Sequence, residues 1–235
     1  MIGIIGAMEL EIQGLRARLD QPETSVISGV RFDTGSIHGV PVVLAVCGVG
    51  KVFAALCAQT MILRFPVRAV INTGVAGTLC SALGIGDVAL ASDVVQHDMD
   101  TSPLGDPVGM ISGPNLVHLP ADGALTDRLA ARAGALGLHC QVGTIATGDQ
   151  FLAQAERKLW IHETFGAIAG EMEGGSIGQV CYVNHIPFAV LRTISDGADG
   201  SAPESFPAFA AAAAADAVEI VDGLLEEMSR ARAVD

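Results

Sequence analysis

The stretch AVINTGVAG, residues 69–77, decides the fold of this 235-residue chain. Its first part, residues 69–73, is rich in apolar and β-branched residues and carries no charge, which is typical of a strand buried on both faces. Gly74 is predicted to end this strand. The glycines at 74 and 77 permit a tight turn, a close approach of the backbone to another group, or contact between their amides and a ligand.

Strand and helix patterns alternate on both sides of this stretch. The other predicted strands lie at residues 2–6, 30–37, 40–47, 88–95, 141–147, 167–170 and 186–194. The predicted helices lie at residues 9–19, 51–63, 121–136, 151–162, 174–184 and 207–230, and residues 97–120 read as a long loop. This order predicts an α/β protein with a single domain over residues 1–235, in which helices flank a central mixed, twisted sheet.

The composition excludes several classes of protein. Asp and Glu number 26 against 13 Lys and Arg, a net charge of -13, so the surface should repel the phosphate backbone of a nucleic acid. No apolar run reaches the roughly 20 residues that span a bilayer, and no basic leader precedes Glu9. The five cysteines form no CxxC pair and lie mostly among apolar residues, which predicts reduced thiols in a cytoplasmic protein.

Carboxylates follow several predicted strands, where α/β sheets bind their ligands. Glu11 could take part in chemistry or only stabilise the first turn of a helix, and Asp196 could be an acid or only a turn cap. On a helix, Glu171 and Glu173 would point about 200° apart, so one of them is expected to be structural. Arg192 lies in an otherwise apolar strand and is expected to pair with a carboxylate or a ligand.

Other chemistries have little support in the sequence. A phosphate-binding P-loop would need Gly and Ser or Thr where the chain has Ala45 and Val52, and no G-x-S-x-G elbow is present. His97, Asp98 and Asp100 lack a second His at ligand spacing, so they predict a solvated loop and no metal site.

Seven segments together resemble one known family. They are, in order, IGIIGAMELE, GVGKV, INTGVAG, GDVALASDVVQHDMD, ATGDQF, EMEGGSIGQV and RTISDGAD. Over nearly its whole length the chain resembles the bacterial methylthioadenosine/S-adenosylhomocysteine nucleosidases of the nucleoside phosphorylase superfamily. The resemblance implies a homodimer with a nucleoside phosphorylase-like fold. It also implies hydrolysis of the N-glycosidic bond of 5'-thio-substituted adenosines, with release of adenine and no cofactor.

The resemblance assigns catalytic roles to three carboxylates. Asp196 matches the general acid that protonates N7 of adenine, so that the base leaves as a neutral molecule. Glu11 matches the carboxylate that orients and deprotonates the attacking water. Glu173 matches the residue that binds the ribose hydroxyls, and its charge should favour a cationic transition state.

The same resemblance assigns the substrate contacts. Met8 and Met172 match apolar contacts to the ribose. Phe151 and Phe206 match the aromatic walls of the adenine pocket, and Leu152 matches the position whose backbone reads the edge of the base.

Three departures from the family pattern concern substrate preference. Val75 stands where many relatives have Ser, near the water site, and Gly174 stands where relatives often have Ala. Residues 97–120 also differ from the loop that is commoner in the family, and this loop shapes the 5' pocket.

Arg192 matches a residue near the water and the carboxylates, and it is counted among the residues that bind the substrate.

Three alternatives remain at this stage. A purine nucleoside phosphorylase would need cations and donors for phosphate, yet Lys51 and Arg192 are the only cations in the matching segments, and Glu11 would repel the anion. A non-catalytic nucleoside sensor should have lost part of the carboxylate set. A nucleosidase for another adenine nucleoside, such as aminodeoxyfutalosine or 5'-deoxyadenosine, is compatible with the same residues.

Overall fold

The structure is a computed structural model, and it describes residues 1–197 and 202–232. The strands are β1 (Ile2–Gly6), β2 (Asp20–Ile27), β3 (Val30–Ile37), β4 (Val40–Val46), β5 (Ala69–Thr78), β6 (Val88–Gln96), β7 (Leu119–Pro120), β8 (Cys140–Thr147), β9 (Ala167–Glu171) and β10 (Phe188–Asp196). The helices are α1 (Glu9–Arg16), α2 (Lys51–Arg64), α3 (Gly123–Ala135), α4 (Ala155–Phe165), α5 (Gly174–Val183) and α6 (Ala202–Arg232).

All ten strands form one mixed sheet, in the order β10-β6-β8-β9-β5-β1-β4-β3-β2, with β7 paired to β6. The predicted α/β class with a mixed central sheet is therefore confirmed. In addition, β10 pairs with β5, so that β5, β10, β6, β8 and β9 close into a ring. The prediction did not include this closure.

Strand β5 is longer than predicted, and its length makes the closure possible. It pairs in parallel with β1 from Ala69 to Asn72, in parallel with β10 from Val70 to Gly77, and antiparallel with β9 at Gly77 and Thr78. The prediction that Gly74 ends the strand is wrong, because the backbone stays extended through the glycines and continues to Thr78.

Helices cover both faces of the sheet, as predicted. Successive residues of β1 point to opposite faces, so that Ile5 belongs to the cluster with Ala54 and Met61 of α2, whereas Ile4 belongs to the cluster with Leu15 of α1. Helices α2 and α5 pack on one face, and α1, α3 and α6 pack on the other.

The remaining predictions agree with the structure only in part. Strand β2 was not predicted, and residues 97–120 contain a single 3-10 turn at Ser102–Leu104 and the two-residue strand β7. All five cysteines are free thiols, as expected. In the part of the chain that the structure describes, no helix combines the length and apolar character needed to cross a bilayer.

Candidate active site

A cavity of about 250 Å³ opens at the carboxyl ends of the central strands. Every predicted site residue except Arg192 lines it, namely Met8, Glu11, Val75, Phe151, Leu152, Met172, Glu173, Asp196 and Phe206. The strand-end rule had selected Glu11, Glu173 and Asp196, and residues such as Leu152 and Phe206 had been assigned only by the family resemblance.

Glu11 is buried in the first turn of α1 and is held by three backbone amides. Its Oε2 accepts hydrogen bonds from the amides of Ala7 (2.7 Å) and Met8 (2.9 Å), and its Oε1 accepts one from Val75 (3.1 Å). Burial raises the pKa of Glu11, although Arg192 and the amides oppose this shift. A carboxylate that is fixed in place and has a raised pKa is suited to accept a proton from water.

Arg192 lies behind the cavity wall, where it joins the carboxylates. Its Nη2 donates to Asn72 Oδ1 at 2.5 Å and to Glu171, and it lies 3.7 Å from Glu173 Oε2. The expected pairing with a carboxylate is therefore present. Because Arg192 does not line the cavity, any effect on a bound nucleoside is exerted through the neighbouring carboxylates, Glu11, Glu171 and Glu173.

The helical argument about Glu171 and Glu173 is wrong, because neither residue lies inside a helix. Glu171 ends β9, Glu173 precedes α5, and both face Arg192. Burial raises the pKa of Glu171, but the charge of Arg192 and the hydrogen bond from Thr147 outweigh this effect and leave the pKa below its usual value.

Glu173 has a different environment. Its Oε1 accepts a hydrogen bond from the amide of Gly50 at 2.9 Å. Burial and the neighbouring charge of Glu171 raise the pKa of Glu173 to about 7. Of the two neighbouring carboxylates, Glu173 is thus the one whose charge changes near neutral pH.

Asp196 ends β10 and is 4% exposed. Its Oδ1 accepts a hydrogen bond from Ser195 Oγ at 3.1 Å, and its Oδ2 accepts one from Lys158 Nζ at 3.1 Å. The sequence analysis missed Lys158. The spacing could have indicated that Lys158 is buried, because Lys158, Ile161 and Phe165 lie at i, i+3 and i+7, which places them on one helix face. All three are buried in the structure. The motif that contains Asp196 continues beyond Gly197 into residues outside the described ranges.

The glycines of β5 make room for the site. A Cβ atom on Gly77 would lie 2.5 Å from Asp196 Oδ2, and one on Gly74 would lie 2.8 Å from Arg192 Nη1 and would also overlap Glu11. Of the three uses predicted for these glycines, the structure shows close approach of the backbone to other groups.

Two aromatic rings stand at the mouth of the cavity. Phe151 and Phe206 meet edge to face, with ring centroids 5.8 Å apart, and Phe151 is 51% exposed. The prediction of a helix from residue 151 is wrong, because α4 begins only at Ala155. Phe151 therefore lies in the irregular segment between β8 and α4.

The segment after β6 is less solvated than predicted. His97 is buried, and Asp98 forms an ion pair with Lys51 at 2.6 Å. Within residues 1–197 and 202–232, no group of three or more His, Cys, Asp or Glu side chains is placed to hold a metal ion.

The raised pKa of Glu173 predicts a pH dependence of stability. In the unfolded chain its pKa is near the ordinary 4.5, whereas in the folded protein it is about 7. Between these values the folded protein holds a proton that the unfolded chain has lost, so this group stabilises the fold at low pH and the contribution is lost as pH rises to about 7.

We expect Glu173→Gln to remove this decline. Urea unfolding of both proteins between pH 5 and pH 8 should show the wild type losing stability relative to the variant by up to about 1.4 kcal/mol per pH unit, and only below pH 7. Parallel curves for the two proteins would contradict the assigned protonation of Glu173.

Comparison with known proteins shows the superfamily of the chain. Residues 1–226 match the sequence model of the Phosphorylase superfamily. The chain is thus a protein of the phosphorylase superfamily.

Comparison with individual relatives shows to which family of this superfamily the chain belongs. A 5'-methylthioadenosine/S-adenosylhomocysteine nucleosidase of Shewanella denitrificans is 37% identical over 97% of this chain and 99% of its own. The structure of an Asp-to-Asn mutant of the Helicobacter pylori MTAN, with 5'-methylthioadenosine in its active site, has a TM-score of 0.92 and 35% identity over 96% of this chain and 98% of its own. The chain belongs to the 5'-methylthioadenosine/S-adenosylhomocysteine nucleosidase family.

A related activity occurs on the same fold. The native structure of a futalosine hydrolase of Helicobacter pylori has a TM-score of 0.91 and 36% identity, covering 96% of this chain and 97% of its own. Similarity of this degree therefore extends to enzymes named for different substrates.

Proposed function

We propose that the protein hydrolyses the N-glycosidic bond of 5'-thio-substituted adenosines, namely methylthioadenosine and S-adenosylhomocysteine, and releases adenine. One observation favours hydrolysis over phosphorolysis, namely the charge of the side chains that line the cavity. Four carboxylates line the cavity, namely Glu11, Glu171, Glu173 and Asp196, and among the described residues that line it there is no Lys or Arg. A phosphate dianion would lack the cations that bind it, whereas a neutral water would not need them.

The residues around the cavity can serve each step of hydrolysis. Asp196 gives a proton to N7 of adenine as the bond between C1' and N9 breaks and its electron pair moves to the base. The ribosyl group then carries positive charge, which ionised Glu173 stabilises. Water attacks C1' and gives its proton to Glu11, so the products are neutral adenine and a free 5-thioribose.

Val75 supports water as the nucleophile. Its side chain has no hydroxyl to donate, and its amide already donates to Glu11. Of the buried cations beside the cavity, Arg192 is engaged by Asn72 and Glu171, and Lys158 is engaged by Asp196 and the carbonyl oxygen of Gly197. None of these groups is free to bind phosphate.

The test is adenine release from methylthioadenosine in phosphate-free buffer, followed by separation of the products. We expect the full rate without phosphate and free 5-methylthioribose as the sugar product. A rate that depends on added phosphate, with a ribose 1-phosphate product, would establish a phosphorylase instead.

A second candidate substrate is an adenine nucleoside with a different 5' group, such as aminodeoxyfutalosine or 5'-deoxyadenosine. The similarity to a futalosine hydrolase favours including it. The values of kcat/KM for a panel of nucleosides that differ only at the 5' position decide between these substrates.

We also propose that the protein is a cytoplasmic homodimer. Its free thiols are compatible with a reducing compartment. Val52, Phe53 and Leu56 lie close together on the surface of α2, and Val49, which precedes the helix, lines the cavity. Each of these four side chains is more than half exposed. An exposed apolar face that adjoins the cavity suits burial against a second copy of the chain.

The oligomer is tested by light scattering after gel filtration. We expect twice the chain mass of 24.1 kDa for the wild type and a monomer for Phe53→Asp. Glu163→Gln, a change in α4 away from this face, is the control and should leave the mass unchanged. A wild-type monomer would contradict the proposed dimer.

A further inference from the structure

Lys158 is a buried cation that the proposed mechanism leaves unused. Its side chain is 1% exposed. Its ammonium donates to Asp196 Oδ2 at 3.1 Å and to the carbonyl oxygen of Gly197. One side chain of α4 thus holds both the proposed acid and the backbone that follows it.

Stability alone does not favour a lysine at this position. Ile161 and Phe165, on the same face of α4, belong to an apolar cluster that also contains Leu152 and Ala167. A buried ion pair is often no more stable than well-packed apolar side chains of similar volume. Lys158 makes its ion pair with a carboxylate that lines the cavity. A role at the reaction site therefore explains the lysine better than packing does.

The other contacts of Asp196 show what Lys158 adds. Ser195, which holds Oδ1 at 3.1 Å, is the adjacent residue of the same strand. Lys158 holds Oδ2 from a different element, and Gly77 leaves the space in which Oδ2 lies. Both carboxyl oxygens are therefore fixed, and the plane of the carboxyl group is set relative to the cavity.

We propose that Lys158 is a positioning residue for the cleavage reaction, which orients the carboxyl group of Asp196 and holds the backbone at Gly197 so that the acid faces the adenine. The inference rests on the proposed function, in which Asp196 is the general acid. A displaced acid slows proton transfer more than it weakens nucleoside binding. Loss of Lys158 should therefore lower kcat with little effect on KM.

The test combines Lys158→Met, Asp196→Asn and the double variant, assayed by adenine release from methylthioadenosine. We expect Lys158→Met to lower kcat at least about tenfold and to change KM by less than about threefold. If Lys158 acts through Asp196, adding Lys158→Met to Asp196→Asn should change the residual rate by less than about twofold. Equal losses in the two backgrounds, or an unchanged kcat in Lys158→Met, would overturn the proposal.

A second readout is the Kd of methylthioadenosine for Lys158→Met, measured by calorimetry. Lys158 itself does not line the cavity, so the Kd should stay within about threefold of the wild-type value while kcat falls. A Kd that rises as much as kcat falls would assign Lys158 to the shape of the cavity and overturn the proposal, even where the Asp196→Asn rate is too low to measure.

Two controls separate the possible failures. Arg31→Met removes a basic partner from another buried carboxylate, Asp33, in β3 outside the cavity, and should leave kcat unchanged. Wild-type adenine release in the same assay tests the proposed function. If the wild type is active and Lys158→Met is equally active, only the role of Lys158 fails; if the wild type releases no adenine, both proposals fail.

Discussion

Asp196→Asn should lower kcat for adenine release by about 10²- to 10⁴-fold, the range expected for loss of a general acid. Asn has the same shape, and its one carbonyl oxygen can still accept the hydrogen bond from Lys158 while its NH2 group donates to Ser195 Oγ. It has, however, no carboxyl proton to give to N7. The fold and the cavity walls remain, so nucleoside binding should persist. The measurements are kcat from adenine release and the Kd of methylthioadenosine from calorimetry.

The matched control is Asp127→Asn, which makes the same chemical change at an exposed position of α3 that does not line the cavity. It should leave both kcat and Kd unchanged. An Asp196→Asn enzyme with wild-type turnover would remove Asp196 from the mechanism, and a variant that no longer binds the nucleoside would assign it to binding instead.

Arg192→Met should destabilise the protein by about 3–5 kcal/mol, because it leaves buried carboxylates without their cation. The charge of Arg192 lowers the pKa of Glu11, Glu171 and Glu173. In the variant these groups should hold protons in the folded state that the unfolded chain has lost. Stability should therefore fall further as pH rises, and urea unfolding should show a larger loss at pH 8 than at pH 5.

The control for this prediction is Arg192→Met combined with Glu171→Gln, which removes one charge of each sign from the cluster. We expect part of the lost stability to return at pH 8. An equal loss at both pH values would mean that packing of the arginine side chain, and not its charge, is what stabilises this region.

The strands with strong patterns were the predictable part of the fold. The hairpin of β3 and β4 has buried residues on both strands and a two-residue turn, and it was predicted within one residue. The edge strand β2 was missed because its residues are nearly all exposed, and it contains Pro22. A strand without a buried face leaves no alternation in the sequence to detect.

The closure of the sheet could not be predicted, for a related reason. It depends on the second half of β5, where glycines interrupt the apolar pattern. Those glycines are in the strand because Glu11 and Asp196 occupy the space beside them. The sequence shows that these positions have no side chain, but it does not show that the carboxyl groups of Glu11 and Asp196 fill the space.

Most of the residues that line the candidate cavity could be named from the sequence. Position after a strand end selected Glu11, Glu173 and Asp196, and the resemblance supplied their proposed roles. What the sequence could not supply was the pairing between side chains. Arg192 lies behind the wall, and Lys158 reaches Asp196 from a helix 38 residues earlier in the chain.

The double pairing of β5 has a consequence for amide hydrogen exchange. The segment from Val70 to Asn72 is bonded to β1 on one edge and to β10 on the other. Its amides should exchange only when the whole molecule unfolds. A bound nucleoside would then slow their exchange by the same factor by which it stabilises the native state, so the exchange rate of three buried amides would serve as a binding assay for the cavity above them.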